Sequence, residues 1–293
     1  MCILEKKSLL LALSSYIIWG LQPLYWVLLL HIDSLLTLIF RIIWAAVLTT
    51  GILVATRRLP ELKALFGNKQ KIKFLIPAML LLLADWGIFL YAVQSGHVLD
   101  TSLGYYMSPF VVFALGMVVF KEKPTVLTLI AMLLAFAGVA ISAIHYGRFP
   151  LISVALSVLF AIYGAIKKAA QVESVLSIAV ETILMLPLTI AVLLLSPMGE
   201  SLVASLFTDH LLFIGAGIVT ALPMVLYSYG VLKLPYVTLG FMQYAAPTLS
   251  LMCGLLMGES ITQDKLITFA FIWAAIAVYI VSVLLEEKGK NKS

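Results

Sequence analysis

Three ionisable side chains lie inside long apolar runs of this 293-residue sequence, where a charge costs several kcal/mol. They are Arg41, Asp85 and Glu181. A buried acid and base can hold helices in a fixed arrangement, or they can bind the charged groups of a ligand. An acid that gains and loses its basic partner can also carry a proton. These three residues are therefore candidates for charge recognition and coupling.

Polar and aromatic residues recur within the same runs. Trp19 and Gln22 share one helical face, and an amide beside an indole suits a ligand with an apolar body and a few polar groups. Tyrosines and glutamines deep in other runs need hydrogen-bond partners that lipid does not supply. Such partners are either neighbouring helices or a ligand. The candidate substrate-binding residues are Trp19, Gln22, Arg41, Tyr105, Tyr106, Gln243 and Tyr244.

The elements that position these residues are ten apolar runs. Hydrophobic residues make up 63% of the chain and charged residues 11%, against about 45–50% and about 25% in soluble domains. This composition excludes a water-soluble enzyme and a nucleic-acid binder. Apolar and polar residues do not alternate strictly in these runs, so the runs favour helices of about 20 residues over the strands of a barrel. We predict an all-α membrane protein with transmembrane helices near 8–30, 35–56, 73–94, 101–120, 125–145, 150–167, 175–195, 210–231, 236–257 and 264–285.

Lys and Arg residues are distributed unequally between the two sides of these runs. Of 19, 16 fall on one side, two fall on the other, and Arg41 lies within a run. Positive charge is retained in the cytoplasm, so we predict cytoplasmic N- and C-termini. We therefore attribute the net charge of +5 to the orientation of the chain in the membrane, and not to nucleic-acid binding. The longest loop, 57–72, is basic and is expected to lie against the anionic inner leaflet.

The depths of the three charges differ. At about 1.5 Å per helical residue, Arg41 lies about 21 Å from the cytoplasmic side, Asp85 about 18 Å and Glu181 about 9 Å. We therefore expect Arg41 to pair with Asp85 in at least one state, and Glu181 to act separately. Pairing of Arg41 with Glu181, and a static pair that only fixes packing, remain alternatives.

The sequence contains a weak internal repeat. Residues 102–105 match 238–241, and residues 90–91 match 226–227 at the same offset of 136. Five runs per half is an odd number, so the second copy must cross the membrane in the opposite sense. We predict two inverted five-helix repeats, residues 1–147 and 148–293, with a substrate site near the midplane between them. Similarity arising from apolar composition alone is the alternative.

Six segments of the sequence resemble those of a known protein family. It resembles the drug/metabolite transporter superfamily, in its EamA-type branch, and within it the RarD-type permeases. The resemblance rests on YIIWGLQP at 16–23, FRIIW at 40–44, SLGYYMSP at 102–109, ETILMLP at 181–187, TLGFMQYAAP at 238–247 and FAFIW at 269–273. It implies a ten-helix carrier of the bacterial inner membrane that moves metabolites or drugs by alternating access. One departure is Ala84-Asp85-Trp86, where Gly-Asn-Trp is expected.

We therefore predict a secondary active transporter of small molecules and not an enzyme, with no cofactor and no metal site. An exporter of amphipathic or amino-acid-like compounds, coupled to protons, fits the residues and the resemblance. Arg41 would orient an anionic group and the aromatic residues an apolar portion. An uptake carrier for a nucleotide or cofactor derivative is the first alternative, and a membrane-embedded enzyme is a weaker one. The expected partners are the substrate and the lipid bilayer, with a monomeric or homodimeric chain.

Overall fold

The computed structural model describes residues 3–94, 98–146, 150–196, 207–258 and 263–290. Within these ranges the regular structure is helical throughout. A short 3-10 helix, Val27–Leu29, extends the first helix. The α-helices are α1 Ile3–Trp26, α2 Ser34–Ala55, α3 Leu59–Gly67, α4 Lys69–Gln94, α5 Val98–Val118, α6 Val126–Tyr146, α7 Leu151–Ala170, α8 Ser174–Leu195, α9 Phe207–Lys233, α10 Tyr236–Gln243, α11 Ala245–Leu256 and α12 Gln263–Lys290.

The helices match the ten predicted runs. Nine stretches of the described residues are long and apolar enough to cross a membrane, and Gly104–Val118 of α5 adds a shorter apolar helix. The prediction of an all-α membrane protein is confirmed. The structure adds α3, which lies within the predicted loop 57–72. Leu62 and Leu65 of α3 pack against Val172 and Leu176, so this face of α3 contacts protein.

The ninth predicted run is divided into α10 and α11 by a turn at Tyr244. Pro247 follows in the first turn of α11, where a missing N–H is tolerated. Pro247 cannot donate to the carbonyl of Gln243, which would be its partner in a continuous helix. Proline alone does not explain the break, because Pro109 lies inside the continuous helix α5.

Helices α1–α6 pack mainly against α7–α12. Helix α1 contacts α9 and α11, while α7 contacts α4 and α5. Helix α2 contacts α8, α5 contacts α10, and α6 contacts α12. The predicted repeat makes α7 the counterpart of α1, and α4 and α5 the counterparts of α9 and α11. The contacts of α7 with α4 and α5 therefore correspond to those of α1 with α9 and α11. Helices from both parts of the chain thus pack against one another throughout the molecule.

The two ends of the helices differ. At the end that we call the basic end, segments 57–71, 120–122, 168–173 and 234–237 contact one another. At the opposite end, the Tyr25 hydroxyl donates to the Leu212 carbonyl, and the Phe40 and Phe213 rings stack with centroids 4.5 Å apart. The opposite ends of α4 and α5 are less covered, since Tyr91 is 62% exposed and Tyr105 51% exposed.

Candidate functional site

Arg41 is held by side chains from three other helices. Its Nε donates to the Thr220 hydroxyl of α9 at 3.1 Å. Its guanidinium carbon lies 4.5 Å from the centre of the Trp86 ring of α4 and 5.3 Å from that of Trp26 of α1. Guanidinium groups bind well to aromatic rings when water is excluded. The orientation of Arg41 is therefore fixed, while its two terminal nitrogens form no hydrogen bond within the described residues.

Asp85 and Tyr105 are neighbours of Arg41, and the Asp85 carboxylate is the acid whose charge acts on the guanidinium. Across the described residues, however, no nitrogen of Arg41 comes within 4.0 Å of an Asp85 oxygen, and no hydrogen bond reaches that carboxylate. The expected ion pair between Arg41 and Asp85 is thus absent in this conformation. The Thr220 bond and the two indoles hold the guanidinium where it is. We call Arg41, Asp85, Tyr105, Trp26, Trp86 and Thr220 the charged site.

Glu181 belongs to a different cluster. Its Oε1 accepts hydrogen bonds from Lys167 at 2.6 Å and from the Ser177 hydroxyl at 2.8 Å. Its Oε2 accepts from the Tyr163 hydroxyl at 2.9 Å. Glu181 is fully buried and Lys167 is 3% exposed. Pairing of Arg41 with Glu181 is thus not seen, since Glu181 already has a cation.

Lys167 is the last residue of the sixth predicted run, 150–167. Helix α7 continues to Ala170, so Lys167 lies in its last turn with its side chain turned into the protein. A lysine near the end of an apolar run looks like a boundary residue in the sequence. On the neighbouring helix α8, the Glu181 carboxylate and the Ser177 hydroxyl, each 2.6 Å from the ammonium, make this inward direction favourable.

Trp19 lies in an aromatic cluster made by Tyr16, Trp19, Phe160, Tyr163 and Tyr227. Its ring centre is 5.5 Å from that of Tyr16, 5.7 Å from that of Phe160 and 5.4 Å from that of Tyr227. Tyr163 joins this cluster to Glu181. The cluster lies between α1, α7 and α9, next to the buried ion pair rather than around Arg41.

The other predicted binding residues are distributed around the interface. Gln22 donates to the Val219 carbonyl at 2.8 Å, one residue from Thr220 of the charged site. Gln243 donates to the Ser108 hydroxyl at 2.8 Å, and its amide oxygen has no hydrogen-bond partner in the described part of the chain. Tyr106 and Tyr244 pack in an apolar cluster with residues of α6 and α12, such as Ile272.

The structure therefore brings together three of the predicted residues, Arg41, Asp85 and Tyr105. Trp26, Trp86 and Thr220 were not among the predicted site residues. Trp86 had a signal in the sequence, because it follows Asp85 directly. Trp26 lies near the end of its run, where it resembles an interfacial residue. Thr220 had no signal, since one threonine in an apolar helix commonly bonds its own backbone.

The basic end contains a group of contacts that we call the latch, made by Glu122, Lys168, Leu234, Tyr236 and Val237. The Glu122 carboxylate accepts from the Tyr236 amide at 2.6 Å and from the Val237 amide at 2.8 Å. It thereby caps α10, whose N-terminus favours negative charge. The Lys168 ammonium lies 3.9 Å from Glu122 and donates to the Leu234 carbonyl at 2.5 Å. The latch ties the end of α5 to the start of α10.

Further contacts at the basic end are more exposed. Arg58 donates two hydrogen bonds of 2.9 Å to Glu61 and one of 3.4 Å to Glu173. The hydrogen bond with Arg58 lowers the pKa of the Glu61 carboxyl. Lys71 donates to the Ala170 carbonyl at 2.6 Å. These exposed contacts add little stability individually, but they place α3 against the turn between α7 and α8.

Ionisable side chains within the apolar helices of a membrane protein are typical of membrane transport proteins. The EamA-like transporter family model matches residues 6–144. An uncharacterized transporter of Pseudomonas aeruginosa is 37% identical, covering 94% of this chain and 93% of that protein. Protein RarD of Escherichia coli is 32% identical, covering 98% of each chain.

The chain belongs to the EamA-like transporter family, in the RarD-like group of the drug/metabolite transporter superfamily. A further relative, named chloramphenicol-sensitive protein RarD in Pseudomonas aeruginosa, is 28% identical over 93% of this chain and 93% of that protein. A solved crystal structure of another protein matches with a TM-score of 0.73, covering 96% of this chain and 98% of that one. At 16% identity, that match supports the fold alone.

Proposed function

We propose that this protein exports small amphipathic or amino-acid-like compounds across the bacterial inner membrane by alternating access, as a secondary active transporter. Membership of a transporter family supports transport itself. The observation that supports the substrate role is the guanidinium of Arg41, which three helices orient while its terminal nitrogens form no hydrogen bond to the described part of the chain. A guanidinium presented in this way suits bidentate binding of a carboxylate.

Alternating access requires a site that is open to one side of the membrane at a time. The latch joins α10 to the segment after α5 at the basic end, which the positive-inside rule assigns to the cytoplasm. Half of the Tyr105 surface beside the charged site is exposed. We therefore propose that this arrangement is that of a carrier closed toward the cytoplasm.

Asp85 is the residue that we assign to proton coupling. It is acidic, it lies about 14 Å from the end of α4, and no hydrogen bond within the described residues holds it. Glu181 is less suited to this role because three donors already satisfy its carboxylate. The uptake of a nucleotide is disfavoured, since Arg41 is accompanied by an acid and not by further cations.

The test is ligand-dependent thermal stability of the purified full-length protein. The panel holds amino acids, aromatic metabolites, nucleotides and chloramphenicol. A ligand at 100 times its Kd that binds only the folded state adds about 2.7 kcal/mol. We expect one chemical class to raise Tm, and Arg41→Gln to abolish the shift.

Arg58→Gln is the matched control, because it removes a guanidinium that lies at the basic end, outside the charged site. This variant should keep the full shift. An equal shift in wild type and in a folded Arg41→Gln variant would contradict the assignment of Arg41 to substrate binding.

A further inference from the structure

We propose that Gln22 of α1 is a positioning residue, which supplies the hydrogen bond that Pro223 cannot make within α9. This bond holds the stretch of α9 from which Thr220 orients the guanidinium of Arg41. The importance of that orientation rests on the proposed function. Gln22 then acts through Arg41, from the junction of α1 and α9, and not by touching a ligand.

The first step is a missing backbone donor in α9. Pro223 lies inside this helix and is buried. A proline has no N–H, so the carbonyl of Val219, four residues earlier, loses its helical partner. Val219 lies about 18 Å from the start of α9, within an apolar span, where lipid offers no replacement donor. A carbonyl without a donor at that depth is strongly unfavourable.

The second step is the donor that replaces it. The side-chain amide of Gln22 donates to the Val219 carbonyl at 2.8 Å. Prolines also lie inside α1, α4, α5 and α8. Within the described residues, however, the carbonyls that those prolines free accept no side-chain hydrogen bond. The match between a side-chain donor and a freed carbonyl is therefore particular to α9.

The third step is the orientation of Thr220, the residue after Val219. Threonines in apolar helices commonly donate to their own backbone, as Thr49 and Thr182 do in this protein. The Thr220 hydroxyl faces another helix, where it accepts from the Nε of Arg41 at 3.1 Å. Because the two residues are consecutive, a bond that fixes the Val219 carbonyl also fixes the direction of the Thr220 side chain around the α9 axis.

The fourth step is the need for a restraint at this point. A helix bends most readily where a proline has removed a hydrogen bond. Before that point α9 is packed closely, since a Cβ added to Gly215 would overlap the Tyr25 hydroxyl, and one added to Gly217 would overlap Trp44. The Gln22 bond extends this close hold to the residue at which the helix can bend.

The experiment measures how fast phenylglyoxal modifies Arg41 in the purified full-length protein, with the modified peptide quantified by mass spectrometry. This reagent bonds to the terminal nitrogens of a guanidinium, whose movement the two indoles and the Thr220 bond restrict. Gln22→Met keeps the size of the side chain and removes the donor. We expect it to raise the rate at Arg41 about fivefold, which corresponds to the ~1 kcal/mol of one hydrogen bond, and to leave the rate at Arg58 unchanged.

A restored backbone donor should make Gln22 dispensable. Pro223→Ala returns an N–H to α9, so adding Gln22→Met to this variant should change the Arg41 rate by about twofold or less. Thr220→Val should raise the rate as Gln22→Met does, and the two substitutions together should raise it no further, because both act on one contact.

Tyr25→Phe is the matched control, because it removes another hydrogen bond from α1 to α9. Its acceptor, the Leu212 carbonyl, keeps the N–H of Ala216 as a helical partner. This variant should change the Arg41 rate by about twofold or less, whether residue 223 is proline or alanine. Unfolding transitions show which variants fold, and a Gln22→Met protein that folds only together with Pro223→Ala would support the same assignment.

Three results would overturn the inference. An equal effect of Gln22→Met with proline and with alanine at position 223 would show that Gln22 does not serve the freed carbonyl. An unchanged Arg41 rate in folded Gln22→Met would show that Gln22 does not position Arg41. Loss of the fold by Gln22→Met in both backgrounds would assign Gln22 to general packing. No substrate is used here, so the ligand panel with Arg41→Gln judges the proposed function separately.

Discussion

Two acids within apolar helices, Glu181 and Asp85, have very different surroundings. Glu181 has a cation and two hydroxyl donors, so its charge is neutralised within the protein. Asp85 has a cation in its vicinity but no bond within the described residues. The first arrangement stabilises one geometry of α7 and α8. The second leaves a place for a proton or a ligand.

We predict that removing one partner of the Lys167–Glu181 ion pair lowers the free energy of unfolding. Lys167→Met leaves Glu181 as an unpaired buried charge, which should destabilise the fold by about 3–5 kcal/mol. The double variant Lys167→Met and Glu181→Met removes both charges and should recover most of this loss. The unfolding transition of the detergent-solubilised protein measures both effects.

Lys71→Met is the control, because it removes an ammonium from the basic end that is not buried. It should lower the stability by less than the single Lys167 variant. If the double variant were as unstable as Lys167→Met alone, the pair would not be the reason for the instability.

At the scale of single helices, the latch connects two elements that are distant in the sequence. Gly116 allows this approach, because an added Cβ would lie 2.9 Å from the Val237 side chain and 3.1 Å from a Glu122 oxygen. Both oxygens of Glu122 are used, one for each amide of α10. A glutamine side chain at position 122 would have only one oxygen that can accept a hydrogen bond from these amides.

Glu122→Gln should therefore weaken the cap of α10. A lost cap costs about 0.5–2 kcal/mol, with about 1 kcal/mol typical. We expect hydrogen exchange at the amides of Tyr236 and Val237 to become about fivefold faster. Mass spectrometry of the segment 234–240 measures this change in wild type and variant.

Glu173→Gln is the matched control, since Glu173 caps α8 through the amide of Leu176 at 3.0 Å. It should accelerate exchange at the start of α8 and leave α10 unchanged. Equal exchange at Tyr236 in wild type and Glu122→Gln would show that the latch does not hold α10.

The helices could be predicted from the sequence because their apolar runs are as long as a membrane is thick. The gathering of Arg41, Asp85 and Tyr105 could be partly predicted, since charges in such runs are rare and depth can be counted. The roles of Lys167 and Thr220 could not. Each depends on which neighbouring helix faces it, and that information lies in the packing and not in the local sequence. The division of the ninth run at Tyr244 could not be predicted either, because an uninterrupted apolar composition does not reveal a local break in a helix.

At the scale of the whole molecule, the distribution of positive charge predicts the orientation. Reporter domains that are active only in the cytoplasm should work when fused after Ser293, and reporters that need the periplasm should fail there. A fusion in the loop near residue 148 should give the opposite result. Reversed activities at the two positions would overturn the predicted orientation.

The interleaving of α1–α6 with α7–α12 also has a consequence for how the chain is made. The ribosome synthesises α1–α6 before α7–α12, the helices they pack against. Helix α1 contacts α9 and α11, and α4 and α5 contact α7. Until α9 and α10 are synthesised, Arg41 lacks the Thr220 hydroxyl and Glu122 lacks the amides of Tyr236 and Val237. Assembly is therefore expected to begin when α7 is made and to finish only after α12, which gives quality-control proteases a long opportunity to act on α1–α6.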